Sequence, residues 1–235
     1  SAQVYPFPTA DPKNEVKLKW GEKGNQPGKF KGPTGLTFDN NGDLYVVDSG
    51  NDRIQIFSPT GSYIRSWGES GKKQGQFCNP WGIFIDDEGK IYVADWGNNR
   101  VQIFDNKGQY ISTIGTTGAE HQLLNHPSHV AVDKDGDIYV SDWGNNRVQI
   151  FNRDGNFIQN LNGDSTDFSK AALYVLDRSA LANTIAEDTL KKKPNLMEQF
   201  KEFGRPTGIA INQENQVIIA DSKSRLQVYN KIVDY

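Results

Sequence analysis

The sequence lacks the residues that would build a disulfide framework. Cys78 is its single cysteine, which excludes an internal disulfide and leaves the redox compartment undetermined. It has no apolar run long enough to span a bilayer. Its formal net charge of −3 lacks the basic excess of a chain whose whole surface binds nucleic acid. With 36% hydrophobic and 23% charged residues, the composition is typical of a soluble globular protein.

What the sequence has instead is repetition at a constant spacing. Pro33, Pro80 and Pro127 are each 47 residues apart, and columns of aspartate, arginine and glutamine share this spacing. A fixed period in this range indicates stacked supersecondary units. The fourth copy begins at Pro206, 79 residues after Pro127, so 32 extra residues separate the third and fourth units.

Each unit predicts four antiparallel strands. In the second unit, an apolar run before Asp87-Glu88-Gly89 leads into IYVAD, and the turn WGNN leads into RVQIF. A third turn, Asn106-Lys107-Gly108, leads to a weaker fourth strand. Four-stranded antiparallel units in series are typical of propeller blades. We therefore predict an all-β propeller with four visible blades, forming a single domain over 1–235.

The two ends of the chain are complementary. Trp20, Trp67, Ile114 and Leu161 are again 47 residues apart, so the segment VKLKWG holds a fourth-strand position ahead of any complete unit. The last unit stops after its third strand. We predict that the N-terminal strand completes the last blade and closes a four-bladed ring, because closure removes exposed strand edges. The alternatives are that the chain belongs to a larger ring or that a partner completes the circle.

The repeated residues follow the pattern P-x-G-[IL]-x-[FVI]-D-x-x-G-x-[IL]-Y-V-x-D-x-x-N-x-R-[IV]-Q-[IV]-F. This pattern resembles the NHL repeat, and four in-phase units cover the chain from about 16 to 229 apart from the insertion. The resemblance implies a β-propeller, usually of six blades, whereas the strand count here gives four. It also brings two activities into consideration. Some NHL-like propellers, the peptidyl-hydroxyglycine amidating lyases, are zinc enzymes, and some animal NHL domains bind RNA.

The propeller interpretation places the unusual residues on one face. The loops that join successive blades open on the same side as the hairpins between second and third strands. Trp96 and Trp143 stand in those hairpins, and Trp81 stands in an inter-blade loop. These indoles either pack on neighbouring loops or act as partly exposed anchors for a protein, peptide or glycan. Trp81, Trp96 and Trp143 are therefore candidate binding residues.

Two charged columns look catalytic but recur in every unit. A charge that repeats in each blade is most simply a hydrogen-bonding brace for turn amides and carbonyls, whereas a catalytic site would break the symmetry. We therefore predict no catalytic residue in these columns. The residues given structural roles are Asp48, Asp95, Asp142, Asp221, Arg53, Arg100, Arg147 and Arg225.

Metal binding is a weaker hypothesis at two places. His121, His126 and His129 are all the histidines of the chain, and clustered histidines can bind zinc. They come from one loop, whereas the zinc lyases gather theirs from several blades. The segment DKDGD at 133–137 resembles the opening of a calcium loop, but the twelfth position is glycine rather than glutamate, so a turn explains it better. The sequence predicts no required cofactor, with zinc and calcium as the two exceptions to test.

The insertion, about 164–204, changes to a helical period. Its first part places Leu173, Leu176 and Leu181 on one broad face, and PNLMEQFKEF predicts a second short helix. An amphipathic helix cannot leave its apolar face in water. We expect it to lie across the propeller as a lid or to dock a second protein.

These features predict a non-enzymatic interaction scaffold that binds a protein, peptide or glycan through the tryptophan-bearing face and the insertion. The alternative is a metal-dependent lyase or hydrolase with a site at the channel mouth. RNA binding is a third hypothesis, weakened by the negative charge, and self-association is compatible with any of them. The first residues contain no signal-peptide core, and an extracellular or periplasmic location is favoured only if a signal has been removed.

Overall fold

The computed structural model describes residues 21–115, 123–163, 203–223 and 225–231. Within these ranges the chain forms fifteen β-strands in four antiparallel sheets, which confirms the prediction of a four-bladed, all-β propeller architecture. Each sheet is one blade, and its strands pair in chain order, beginning with the inner strand.

Blade 1 contains β1 (Pro33–Phe38), β2 (Leu44–Asp48), β3 (Arg53–Phe57) and β4 (Tyr63–Trp67). Blade 2 contains β5 (Ile83–Ile85), β6 (Ile91–Asp95), β7 (Arg100–Phe104) and β8 (Tyr110–Ile114). Blade 3 contains β9 (Pro127–Val132), β10 (Ile138–Asp142), β11 (Arg147–Phe151) and β12 (Phe157–Leu161). Blade 4 contains β13 (Pro206–Ile211), β14 (Gln216–Asp221) and β15 (Arg225–Asn230).

The hairpins between first and second strands are fixed by a side-chain oxygen. Asp133 Oδ1 accepts hydrogen bonds from the backbone N–H groups of Asp135 (2.9 Å) and Asp137 (3.0 Å), while Gly136 takes a φ of 89°. Asp39 and Asn212 make the same pair of bonds in blades 1 and 4. The segment DKDGD is thus a hairpin turn of the kind that Asp and Gly favour.

The predicted helical insertion lies almost wholly outside the described residues. Of the range 164–204, only Phe203 and Gly204 are described, and Phe203 N donates to Asn162 O at 2.9 Å. Within the described ranges the helical pieces are short 3₁₀ turns between second and third strands, at Ser49–Asn51, Trp96–Asn98 and Trp143–Asn145, and there is no α-helix. None of these pieces is long and apolar enough to cross a membrane.

Three apolar cores hold the blades together, one at each junction between successive blades. The core of blades 1 and 2 is centred on Phe77 and Phe104, whose rings lie 5.7 Å apart and are fully buried. The core of blades 2 and 3 contains Val101 and Val130, and that of blades 3 and 4 contains Phe203 and other apolar side chains from both sheets. Burial of aliphatic and aromatic side chains between sheets is the main stabilising contribution in such a stack.

In the described part of the chain, one apolar surface of blade 1 and one of blade 4 have no neighbouring blade packed against them. Leu36 and Phe38 of β1 and Leu226 and Val228 of β15 are exposed. A closed four-bladed ring would bury these side chains against each other, so the prediction of a closed ring is not met within the described residues. The strand VKLKWG, predicted to complete blade 4, falls outside them except for Gly21. The described blades therefore form an open arc.

Candidate binding face

The aspartate and arginine columns form one hydrogen-bonded unit in each blade. In blade 2, Asp95 Oδ2 accepts from Arg100 Nε at 2.7 Å, and Asp95 Oδ1 accepts from the backbone N–H of Cys78 at 2.8 Å. The Arg100 guanidinium also donates to the carbonyl oxygens of Lys72, Lys73 and Gln76. Burial raises the pKa of Asp95, although the hydrogen bonds from Cys78, Asn98 and Arg100 oppose the shift. We call this unit the Asp–Arg brace.

The brace connects the hairpin between the second and third strands of a blade to the loop that precedes the inner strand of the same blade. Its ion-pair distance is 2.8 Å for both Arg53–Asp48 and Arg147–Asp142, and 2.7 Å for Arg225–Asp221. In blade 4 the two residues are four apart rather than five, so this hairpin is one residue shorter. Because the donors and acceptors already serve the protein's own backbone, the geometry supports the structural interpretation of both columns.

The three candidate tryptophans form a continuous row along the tryptophan-bearing face. The ring centroids of Trp81 and Trp96 lie 6.0 Å apart, and those of Trp96 and Trp143 lie 6.3 Å apart. The His126 ring lies between the last two, 4.0 Å from Trp96 and 6.5 Å from Trp143. At the blade 4 end, the Arg205 guanidinium carbon sits 4.1 Å from the Trp143 ring centroid. We call these five side chains the aromatic row.

The members of the aromatic row differ in how much surface they present. Trp81 is 46% exposed, whereas Trp96 and Trp143 are half-buried. The indole N–H of Trp96 is buried and has no hydrogen-bond partner among the described residues. Trp96 and Trp143 thus contact neighbouring rings over part of their surface, whereas Trp81 leaves nearly half of its surface open.

His126 and Arg205 enter this row from equivalent positions of the repeat, although the backbone N–H of Arg205 donates to Ser222 Oγ of its own blade at 2.9 Å. Each residue directly precedes the proline that begins an inner strand, a position held by Asn79 in blade 2. The backbone N–H of His126 donates to Asn99 Oδ1 at 2.9 Å, and that of Asn79 donates to Asp52 Oδ1 at 2.7 Å. Sequence reasoning missed Arg205, although aligning it with His126 across the repeat would have found it.

The histidines do not converge in the described residues. His126 Nδ1 lies 2.6 Å from Asn125 Oδ1, on the aromatic row. His129 stands in β9, facing Ser141 of β10, and burial lowers its pKa, which favours the neutral imidazole. His121 lies outside the described residues. No three His, Cys, Asp or Glu side chains within the described ranges are grouped to hold a metal ion.

The acidic turn at 133–137 is bound by a lysine from the neighbouring blade. Lys231 Nζ lies 2.9 Å from Asp133 Oδ2, 2.9 Å from Asp135 Oδ2 and 2.8 Å from Asp137 Oδ2. The ammonium group therefore occupies the position between the carboxylates where a calcium ion would have to sit. Partial desolvation opposes a charged ammonium, but the hydrogen bonds that Lys231 donates to these carboxylates raise its pKa. Sequence reasoning missed this contact because Lys231 lies beyond the repeated pattern.

The two faces of the arc carry opposite charge. Apart from the Asp–Arg braces, the described loops of the tryptophan-bearing face hold seven basic and three acidic residues, a net charge of +4. The basic residues are Lys23, Lys29, Lys31, Lys72, Lys73, Arg205 and Lys223. The described loops of the opposite face hold eleven acidic and five basic residues, a net charge of −6. The described part of the candidate face is therefore basic although the whole chain is acidic.

Comparisons with known proteins agree with this architecture. The NHL repeat family model matches residues 30–57, 77–104 and 124–151, which correspond to blades 1 to 3. Over 70 residues the chain is 36% identical to Protein brain tumor of Drosophila melanogaster, covering 27% of this chain and 6% of that protein. The chain thus carries NHL repeats at three positions, one in each of blades 1 to 3 of its β-propeller architecture.

Solved structures share the fold at low sequence identity. The Nidogen/Laminin complex aligns with a TM-score of 0.57 and 18% identity, covering 88% of this chain and 64% of that one. A protein of unknown function from Bacteroides caccae aligns with a TM-score of 0.53 and 12% identity, covering 80% and 56%. Virginiamycin B lyase from Staphylococcus aureus aligns with a TM-score of 0.51 and 11% identity, covering 86% and 56%. The chain thus spans about half to two thirds of the length of these structures.

Proposed function

We propose that this protein is a non-enzymatic interaction scaffold that binds an acidic protein or peptide segment through the tryptophan-bearing face. The aromatic row, with Arg205 at one end and Trp81 exposed at the other, is the observation that carries the proposal. Propellers commonly serve as interaction modules, but the argument for this chain rests on the face itself. Buried or half-buried aromatic and arginine anchors are the residues that contribute most to binding at protein interfaces.

The charge of the face favours an acidic partner. Arg205 makes no ion pair within the described residues, and its guanidinium lies on the Trp143 ring, where it can donate two parallel hydrogen bonds to a carboxylate. The lysines of the inter-blade loops add positive charge around the row. A neutral glycan would gain nothing from this charge, whereas an acidic segment would be steered toward it.

The arrangement of the rings favours a peptide over single-stranded nucleic acid. Base stacking needs indole faces that are open to the ligand. One face of Trp96 is in contact with His126, and one face of Trp143 is in contact with Arg205. Trp81 alone presents a large exposed surface among the three. No observation in the described residues favours the alternative of a metal-dependent lyase or hydrolase.

The proposal is tested by fluorescence polarisation with three labelled probes. These are a twelve-residue peptide alternating Glu and Leu, the same peptide with Lys in place of Glu, and an oligouridine. We expect the acidic peptide to bind, with affinity falling as salt rises. Trp81→Ala and Arg205→Met should each weaken it about tenfold or more, which corresponds to about 1.4 kcal/mol. Ile111→Ala, an exposed position on the outer strand of blade 2, is the matched control.

Two results would contradict the proposal. Preference for the oligouridine would assign the face to nucleic acid. Equal binding of the acidic peptide by the native chain and by Trp81→Ala would place the contact elsewhere on the molecule.

A further inference from the structure

The apolar surfaces at the two open ends of the arc correspond to the two sides of a blade junction. The chain forms this junction three times between successive blades. On the inner strand of blade 1, Leu36 holds the column that contains Ile83, Val130 and Ile209 in the other blades. Those three side chains are 2%, 0% and 5% exposed, whereas Leu36 is 66% exposed. Phe38, two residues on and on the same side of the strand, is 62% exposed.

The third strand of blade 4 carries the other side of this junction. Leu226 is 65% exposed, whereas its equivalents Val101 and Val148 in blades 2 and 3 are fully buried. Val228 is 56% exposed, although the equivalent residue in each preceding blade is buried. Exposed contiguous apolar surface of this kind marks an interaction site on a folded protein.

The two exposed surfaces match the two sides that pack together at the internal junctions. Val101 of blade 2 packs in one core with Val130 of blade 3, and Val148 of blade 3 packs in one core with Ile209 of blade 4. The third strand of one blade therefore receives the inner strand of the next. By the same rule, the Leu226 surface is formed to receive a Leu36 surface.

We propose that two copies of this chain associate head to tail, with blade 4 of each copy packing on blade 1 of the other. Each chain carries both halves of the junction, so two identical copies satisfy all four open surfaces with no foreign protein. The described blades of two copies number eight, the upper end of the four to eight blades typical of propellers, and reciprocal junctions close the ring rather than propagate a filament.

Two of the three internal junctions add a polar contact to their apolar cores. In blades 1 and 2 the left-handed residue of the hairpin, Asp52 or Asn99, accepts the backbone N–H of the residue that precedes the next inner strand. The hairpin of blade 4 is one residue shorter between Asp221 and Arg225. At the junction of blades 3 and 4 the backbone N–H of Arg205 donates to Ser222 Oγ of its own blade, so two blades of this chain pack together without that contact.

The experiment measures mass by light scattering on the purified 235-residue chain. We expect twice the chain mass of 26.3 kDa. Leu36→Asp and Leu226→Lys, each alone, should give the mass of one chain because each places a charge against an apolar surface at both junctions. Mixing the two variants should restore the doubled mass, since one junction is then intact and opposite charges meet at the other. Ile111→Asp, exposed on an outer strand, should leave the mass doubled.

Three outcomes would overturn the proposal. A single-chain mass, with Leu36→Asp lowering the melting temperature, would assign the two surfaces to closure within one chain. A single-chain mass with no change in melting would leave them to a different protein. Mass that rises continuously with concentration would indicate an open filament. Peptide binding at the aromatic row can succeed or fail independently of all three outcomes. The row lies on the tryptophan-bearing face, whereas Leu36 and Leu226 lie in strands at the ends of the arc.

Discussion

The junction between blades 2 and 3 and the open ends of blades 1 and 4 are built from the same repeat, yet they differ in what covers them. Val130 and Leu36 occupy one column, and the first is buried while the second is exposed. The repeat therefore encodes a surface for a neighbouring blade, whether or not the neighbour is present. By contrast, the Asp–Arg brace closes within its own blade and entry loop, so it does not depend on the neighbour.

The largest expected effect tests the independence of the brace. Arg100→Ala should lower the free energy of unfolding by about 3–5 kcal/mol, because it leaves the Asp95 carboxylate buried without its cation. Arg53→Ala in the end blade should cost a similar amount, since Arg53 donates to Asp48 and to three loop carbonyls as Arg100 does. Urea unfolding measures both. A much smaller cost at Arg53 would mean that the brace of an end blade is not equivalent.

The next effect tests the difference in packing directly. Ile83→Ala should cost about 2–5 kcal/mol, the usual range for emptying a buried aliphatic site. Leu36→Ala, in the same column, should cost less than about 0.5 kcal/mol in a single-chain species, because its side chain is largely in water. Urea unfolding at low and high protein concentration compares them. A cost at Leu36 that appears only at high concentration would indicate that a second chain covers it.

The repeat period allowed most of the fold to be predicted, because strand alternation and Gly-containing turns act within one unit. Every described strand lies where the 47-residue spacing and the fourth copy place it. The open ends could not be predicted, since Leu36 has the same apolar character as its buried equivalents. The contacts of Lys231 and Arg205 were also missed, because each pairs with a residue more than 60 positions away in sequence.

A smaller effect is expected at the lysine that joins blades 3 and 4. Lys231→Met should lower stability by about 1–3 kcal/mol, because Asp133 is buried and loses a charged hydrogen-bond donor. Asp133 keeps the hydroxyl of Tyr139 at 3.1 Å and two backbone donors, which limits the loss. Thermal melts of the variant beside Lys134→Met, a charge change in the same turn, separate the contact from net charge. Equal melting of both variants would contradict the assignment.

The same contact predicts a pH dependence. The hydrogen bond from Lys231 lowers the pKa of Asp135, so this carboxylate contributes stability above its unfolded pKa of about 3.9 and loses it as pH falls through the folded value. The stability difference between the native chain and Lys231→Met should therefore be constant from about pH 5 to 8 and shrink below about pH 4. Urea midpoints across this range measure it. A difference that grows on acidification would have the wrong sign.

A small effect on stability is expected on the binding face. Arg205→Met should change the free energy of unfolding by less than about 1 kcal/mol, the usual contribution of a cation–π contact near the surface. The same change should weaken the acidic peptide about tenfold, because a ligand carboxylate loses its cation. Arg205→Lys keeps the charge but not the planar guanidinium with its paired donors. The affinity of this variant for the acidic peptide should therefore lie between that of the native chain and that of Arg205→Met. A variant that loses stability and keeps its affinity would show that Arg205 serves the aromatic row as packing rather than as a ligand contact.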